Sequence, residues 1–358
     1  MRKRSGVVVL EAMRVSPTTQ TYTAYRNEWL ALHQEDAIEP ALPIVDAHHH
    51  IWDAPRPRYM PEEFIADITN CGHSIAATVY VDCRSMYRLG GPDHLKAVGE
   101  VEFANGIAAM GASGAYGATR LCAAIVSHVD LCDPRAEEAL EAMVAAGGGR
   151  FRGIRQVSTW DPDPGVIAPS AVKPRDLLQQ DDFRRGFALL AKSGLSFDAF
   201  VYHHQLDDVA DLAAAFPDTR IIVNHVGGPI GIGRFQGRRD EVFRDWSHGV
   251  RRLSTHENVC IKMGGMGMRM FGFGFEDLET PPDSHRLATA WRPYVETCVA
   301  AFGASRSMFE SNFPPDKGSC SYGTLWNAFK RICADVSADD KAALFANTAR
   351  AHYKIAPN

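Results

Sequence analysis

Residues 44–50 read Ile-Val-Asp-Ala-His-His-His and run on into Ile51-Trp52-Asp53. An apolar start that ends in three histidines is the pattern of a buried strand finishing in chemistry. Side chains on a strand alternate faces, so Asp46, His48 and His50 are predicted to point one way and His49 the other. Outward from this stretch the same kind of run recurs. Residues 74–82, 121–131, 153–157, 196–202, 220–225, 258–263 and 307–312 read as further strands. Amphipathic runs lie between most of them, at 135–146, 206–216, 291–302 and 325–333; in the last, Leu325, Phe329 and Ile332 fall on one helix face. Ser337 followed three residues later by Asp340 marks a helix start. Alternating strands and helices imply parallel pairing through right-handed crossovers. Eight such units predict an α/β fold, a closed (β/α)8 TIM barrel over residues 44–358. An open doubly wound sheet would carry a glycine-rich fingerprint after its first strand, and none stands there.

Residues 1–43 are polar and weakly periodic. They are predicted to be an N-terminal extension packing on the barrel, with Tyr22, Tyr25, Trp29, Leu30 and His33 marking one short helix. The 358 residues carry 38 Lys+Arg against 43 Asp+Glu, a formal charge of −5, so no basic face recommends nucleic acid as a partner. A chain this long buries a large core without disulfides. Its eight cysteines are scattered with no CxxC pair, and they are expected as reduced core thiols. The basic start MRKRSGVVVLEAM has an apolar run too short for a signal-peptide core. No stretch approaches the ~20 apolar residues of a membrane span. The expectation is a cytoplasmic protein without membrane or nucleic-acid partners. Two insertions stand out: a proline-rich loop at 161–174 and a long loop at 264–282, whose first part, 264–275, reads GGMGMRMFGFGF. The composition of the second suits either a mobile apolar lid or a core-packed loop.

Polar residues in a barrel belong at the strand C-termini, where active sites lie. Here the strand ends carry Asp46-Ala47-His48-His49-His50, Ser127-His128, Arg155-Gln156, Tyr202-His203-His204-Gln205, Asn224-His225, Lys262 and Glu310-Ser311-Asn312. Seven such endings in register make a site. Two imidazoles at i and i+2 facing one mouth can converge on one divalent ion at the ~2.0–2.1 Å that Zn–N bonds need. His48 and His50 are therefore candidate metal ligands. His203 and His225, on consecutive strand ends, are candidates for ligation or proton transfer.

The segments DAHHHIWD, SHVDL, RGIRQ, YHHQL, NHVGGP, IKMGG and MFESNFP, in this order and at these intervals, resemble the amidohydrolase superfamily. More narrowly, they resemble the amidohydrolase-2 branch of TIM-barrel metal-dependent hydrolases, which includes lactonases for sugar lactones, sulfomuconolactone and pyrone dicarboxylate. The resemblance runs from about Ile44 to the C-terminus. It implies hydrolysis at the strand C-termini, with the strand-one histidines and a later histidine holding any metal; His203 or His225 is that later histidine, and His203 is set with His48 and His50 as the metal ligands. At strand eight the sequence departs from the pattern. Most of the superfamily has an aspartate base where Asn312 stands, and a neutral amide cannot take a proton. Glu310 lies two residues earlier, in place of a small glycine and on the same strand face. Glu310, His225 and Asp316 are thus the catalytic candidates, and a structural Glu310 paired with Arg155 is the alternative.

The chemistry expected is attack of an activated water on a lactone or related cyclic ester of a small organic acid. A divalent ion would lower the pKa of its water; Zn2+ is the first expectation and Mn2+ the second. A metal-free route, with histidines polarising the carbonyl, stays open. Arg155 is the candidate for a substrate carboxylate, and Tyr202, Gln205, Asn312 and His128 for further substrate contacts. The partner is a small, anionic substrate; self-association stays open. The alternative activity is a metal-dependent decarboxylase or hydratase acting on an aromatic or unsaturated carboxylic acid.

Overall fold

A computed structural model describes residues 24–53, 56–166 and 173–356. The basic N-terminal stretch, Tyr22 and the middle of the proline-rich loop lie outside the described residues. Eight strands, β1 (Ile44–His49), β2 (Ile75–Val81), β3 (Arg120–Ser127), β4 (Phe151–Arg155), β5 (Ser196–Ala199), β6 (Ile221–Val223), β7 (Val259–Met263) and β8 (Ser307–Phe309), pair in parallel in chain order. β8 stops at Phe309, short of the predicted 312. The segment after it closes the seam: the Asn312 N–H donates to the His48 carbonyl at 2.8 Å and the His50 N–H to the Phe313 carbonyl at 2.7 Å. The fold is a (β/α)8 TIM barrel.

Helices α1 (Asn27–Leu30), α2 (Pro61–Asn70), α3 (Val98–Ala112), α4 (Ala136–Ala146), α5 (Asp181–Ser193), α6 (Leu206–Ala215), α7 (Arg239–Ser254), α8 (Ser284–Phe302) and α9 (Tyr322–Ile332) follow in order. Their apolar faces bury large side chains such as Phe64, Phe187, Trp246, Trp291 and Trp326 against the outside of the strands. Asp283 caps α8 by accepting the Arg286 N–H. Ser337 likewise caps α10 (Ala338–Ala342) by accepting the Asp340 N–H at 3.2 Å, and α11 (Thr348–His352) ends the chain's helices. Inside the barrel small side chains dominate: Val45, Ala47, Ala77, Val79, Ala124, Ile222 and Cys260 pack with Tyr353 and Ile355, which close its lower end. The cysteines are all free thiols, and seven of the eight are buried. Among the described residues no helix is long and apolar enough to cross a membrane.

The described part of the extension docks on the barrel. Trp29 is buried and its indole N–H donates to the Leu278 and Glu279 carbonyls. Glu35 accepts the Ser284 N–H at 2.6 Å and the Asn327 amide at 3.0 Å. The stretch 264–275 is packed rather than open: Met266, Met270 and Phe271 are all 1% exposed. Its glycines serve close approach. A Cβ on Gly264 would lie 2.3 Å from the Glu310 carbonyl oxygen, and one on Gly265, at φ 69°, would lie 2.4 Å from His225 Nδ1.

Candidate active site

β1 does not keep strict alternation. Asp46 opposes Thr78 while His49 opposes Tyr80, so β1 fits three steps against two on β2. This extra residue is a β-bulge, which re-aims side chains. His48 and His50 both turn to the barrel mouth, with their Nε2 atoms 3.2 Å apart. His49 turns outward and stacks on Phe64 of α2 at 4.1 Å. Asp46 also turns outward, against the expectation that it shares the face of His48. Its carboxylate accepts the Ser311 N–H and hydroxyl, at 2.8 and 2.6 Å, and the Tyr322 hydroxyl of α9 at 2.9 Å.

Glu310 and His225 meet this pair from the far side. Glu310 is fully buried, and its Oε1 accepts both the His225 backbone N–H, at 3.0 Å, and the His225 Nδ1–H, at 2.7 Å. The clasp is made by a backbone in the left-handed region, at φ 53° for His225 and 48° for Val226. A β-branched residue rarely adopts it, and such outliers gather at functional sites. Glu310 Oε2 lies 2.8 Å from His48 Nδ1 yet makes no hydrogen bond. His48, His225 and Glu310 offer ligand atoms within 4.8 Å of one another. Burial, reinforced by Lys262 and neighbouring imidazoles, pushes His48 well below its ordinary pKa; burial and then Arg155 do the same for His50. Both are therefore neutral near pH 7, the form that ligates metal. His50 Nδ1 donates to the Val81 carbonyl at 2.8 Å, which leaves its Nε2 as the lone-pair nitrogen, facing His48 Nε2.

Two buried ion pairs frame the cluster. Arg155 puts Nε on Asp82 at 2.7 Å, a further donor on the Asp82 carbonyl, and only Nη1 toward His48 Nε2, at 3.2 Å. Lys262 binds Asp198 at 2.7 Å and approaches His48 Nδ1 at 3.4 Å. Asp198 also takes the Asn224 amide and the Tyr353 hydroxyl. These pairs satisfy each other, so Glu310 faces only the His48 and His225 imidazoles, with no Lys or Arg partner among the described residues. A divalent cation fits that donor set: His48, His225 and Glu310 offer ligand atoms within reach of one ion, and the His48–His50 Nε2 pair is close to the ~3.3 Å separation that two ~2.0–2.1 Å tetrahedral Zn–N bonds require.

The other sequence candidates lie elsewhere. His203 sits where a short turn follows β5, edge-on to Phe235 at 5.0 Å and beside His204, outside the cluster. Burial pushes its imidazole down to about 4. Gln205 is occupied by the Trp160 and Tyr202 N–H groups and the Ser158 carbonyl. The Tyr202 hydroxyl donates to the Val166 carbonyl. His128 is half-buried, its Nδ1 donating to the Arg155 carbonyl. Asn312 donates through Nδ2 to Asp316 at 2.8 Å, and Asp316 also accepts the Gly267 N–H. Burial pushes Asp316 well above the usual carboxylate range despite these bonds. Glu310 has no contact with Arg155, whose acid is Asp82. Sequence reasoning missed Asp82, Asp198 and Tyr353. Asp82 follows the same strand-end rule as the others. An acid at 198 and a lysine at 262, both inside apolar strands, signalled a buried pair.

A barrel that gathers imidazoles and a carboxylate at the carboxyl ends of its strands has the architecture of enzymes that activate water. The chain belongs to the amidohydrolase family, whose family model matches residues 45–355. An uncharacterized protein of Sinorhizobium fredii is 30% identical over 337 residues, 88% of this chain and 99% of that protein. An L-fucono-1,5-lactonase of Burkholderia ambifaria is 27% identical over 248 residues, 66% of this chain and 72% of the lactonase. Among solved structures, an amidohydrolase of Burkholderia multivorans with bound zinc superimposes with a TM-score of 0.65 at 22% identity, over 87% of this chain and 99% of that one. A 5-carboxyvanillate decarboxylase of Novosphingobium aromaticivorans with bound manganese gives 0.55 at 13% identity, over 89% and 98%.

Proposed function

We propose that this protein opens a lactone or related cyclic ester of a small organic acid by adding water at the barrel mouth. The observation that carries the reading is Glu310, clamped by His225 through one oxygen and turning the other to within 2.8 Å of His48 Nδ1. His48, His50 and His225, with Glu310 beside them, would hold the divalent ion; His203, held against Phe235, is not assigned to it. Zinc suits the imidazole-rich donors and manganese is second. The ion, when bound, supplies a more acidic water and a polarised carbonyl. Glu310 Oε2 takes the proton from the attacking water as its oxygen bonds the carbonyl carbon. The ring C–O bond then breaks, and Glu310 returns the proton to the leaving alkoxide, giving a hydroxy acid. His225 holds Glu310 in place through two donors. Arg155 Nη1, the one donor of its ion pair turned toward His48, can hydrogen-bond the developing oxyanion.

The lactonase relative supports this choice of reaction. The test is a panel of sugar and pyrone lactones read by proton release, with and without added Zn2+ or Mn2+. Ring opening is expected, and Glu310→Gln should lower turnover by ~10²–10⁴. Wild-type rates in that variant would remove Glu310 as the base. Carbon dioxide release from an aromatic acid, with every lactone inert, would replace the hydrolase with a lyase.

A further inference from the structure

The turn that follows β2 grips the site at three successive residues. The Val81 carbonyl takes the His50 Nδ1–H at 2.8 Å. Asp82 takes the Arg155 Nε at 2.7 Å on its carboxylate and a second guanidinium donor on its carbonyl. The Cys83 thiol donates to the carbonyl of Ile51, the residue after His50, at 3.4 Å. The orientations of His50 and Arg155 are therefore inherited from the path of residues 81–83. The chain does not take that path unaided. Arg84 and Met86 sit in the left-handed region, at φ 60° and 55°, where an L side chain is disfavoured.

Glu100, in the first turn of α3, reaches into this turn. Its side chain is fully buried, and Oε1 accepts the Cys83 N–H at 2.9 Å, the Ser85 N–H at 3.0 Å and the Tyr80 hydroxyl at 3.0 Å. Among the described residues Oε2 has no hydrogen-bond partner. Gly99 lets α3 come this close: an added Cβ would lie 2.5 Å from the Met86 carbonyl oxygen and 2.9 Å from the Arg88 nitrogen. A leucine would fill the same space without an orphaned oxygen, which is costly when buried. It could not draw two backbone N–H groups of a strained turn onto one point. Burial, reinforced by the Asp82 charge, raises the Glu100 carboxyl to about 7, so near neutral pH the hold comes from an acceptor oxygen in the right place. We propose that Glu100 is a positioning residue of the cation site: it fixes the turn after β2 and, through Val81 and Asp82, the angles at which His50 and Arg155 face His48.

This rests on the reading of the cluster as a metal centre, so one readout is taken without metal. The variants are Glu100→Met, which keeps the volume and removes the acceptor, Glu100→Gln, which keeps an acceptor, and Ile107→Ala, a buried position on the same helix that controls for lost stability. In the metal-free full chain, nitrogen NMR of labelled histidines reads the His50 tautomer, its signals identified by their absence in His50→Gln. Wild type, Glu100→Gln and Ile107→Ala are expected to carry the proton on Nδ1, and Glu100→Met to show both tautomers. Calorimetric titration with Zn2+ should then give binding about tenfold weaker in Glu100→Met, the low end for loss of outer support to a metal-binding histidine. Glu100→Gln should stay close to wild type, and Ile107→Ala should bind normally although it melts at a lower temperature. If Glu100→Met does not fold, Gly99→Ala, which forces the turn back from an intact Glu100, takes its place with the same expected results. An unmoved His50 tautomer, undiminished Zn2+ binding where wild type binds, a loss as large in Glu100→Gln, or the same changes in Ile107→Ala overturns the assignment. A tautomer change in Glu100→Met while wild type takes up no ion keeps Glu100 as the residue that orients His50 and counts against the metal reading alone.

Discussion

Gly265→Ala tests how the loop after β7 holds His225. Gly265 has φ 69°, and an added Cβ would lie 2.4, 2.7 and 2.9 Å from His225 Nδ1, Cγ and Cβ. Placing an L side chain in the left-handed region costs about 1–2 kcal/mol. Forcing a methyl into a filled space adds about 1–3 kcal/mol. The sum is about 2–5 kcal/mol, which at the usual unfolding entropy per residue lowers the melting temperature of a chain this long by about 3–7 °C. Gly274→Ala is the control: Gly274 has φ 66° but nothing within 4 Å of its added Cβ. It should show only the backbone cost, about 1–3 °C. Calorimetric melts give the stabilities, and proton release gives the rates. Only the Gly265 variant should also lose activity, because the imidazole it displaces carries the 2.7 Å contact to Glu310. Equal melting of the two variants, with full activity in both, would refute the argument that the loop's backbone positions His225.

Burial alone would raise Glu35, but donors from Ser284, His33 and Asn327 outweigh it and hold the carboxyl at about 2, against an ordinary 4.5. A depressed carboxylate stabilises the fold above its unfolded pKa and loses that contribution as pH falls through the folded one. Denaturant midpoints between pH 4.5 and 2 should therefore fall more steeply for wild type than for Glu35→Gln; parallel curves would contradict the anchoring of the extension through Glu35. Asn312→Asp replaces a donor to Asp316 with a second acid in a fully buried place. It should cost about 1–3 kcal/mol or more in denaturant unfolding, and most above neutral pH; an unchanged midpoint would show that the Asn312–Asp316 bond contributes nothing.

The barrel was legible because its periodicities are local: short apolar runs alternating with faces such as Leu325, Phe329 and Ile332 need no knowledge of partners. The His48–His50 pair was legible for the same reason. The orientation of Asp46 was not, because a bulge is a relation between β1 and β2 and leaves no mark on β1 alone. His203 was read as a strand end, but β5 stops at Ala199, and beyond it alternation no longer says where a side chain points. Lys262 and Asp198 were both visible, yet only the closed barrel shows that they neutralise each other. In the 264–275 loop, glycines that permit close packing against Glu310 and His225 have the same composition as glycines that permit motion, so the sequence left both readings open.

The central claim is that His48, His50 and His225, with the Glu310 carboxylate beside them, form one cation site. Calorimetric titration of the chelator-treated full chain with Zn2+ tests it most directly. The account predicts about one ion per chain in wild type, at least about tenfold weaker binding in His48→Ala and Glu310→Gln, and unchanged binding in His203→Ala. Failure of wild type to take up an ion, or equal affinity in the His48 and Glu310 variants, would contradict it.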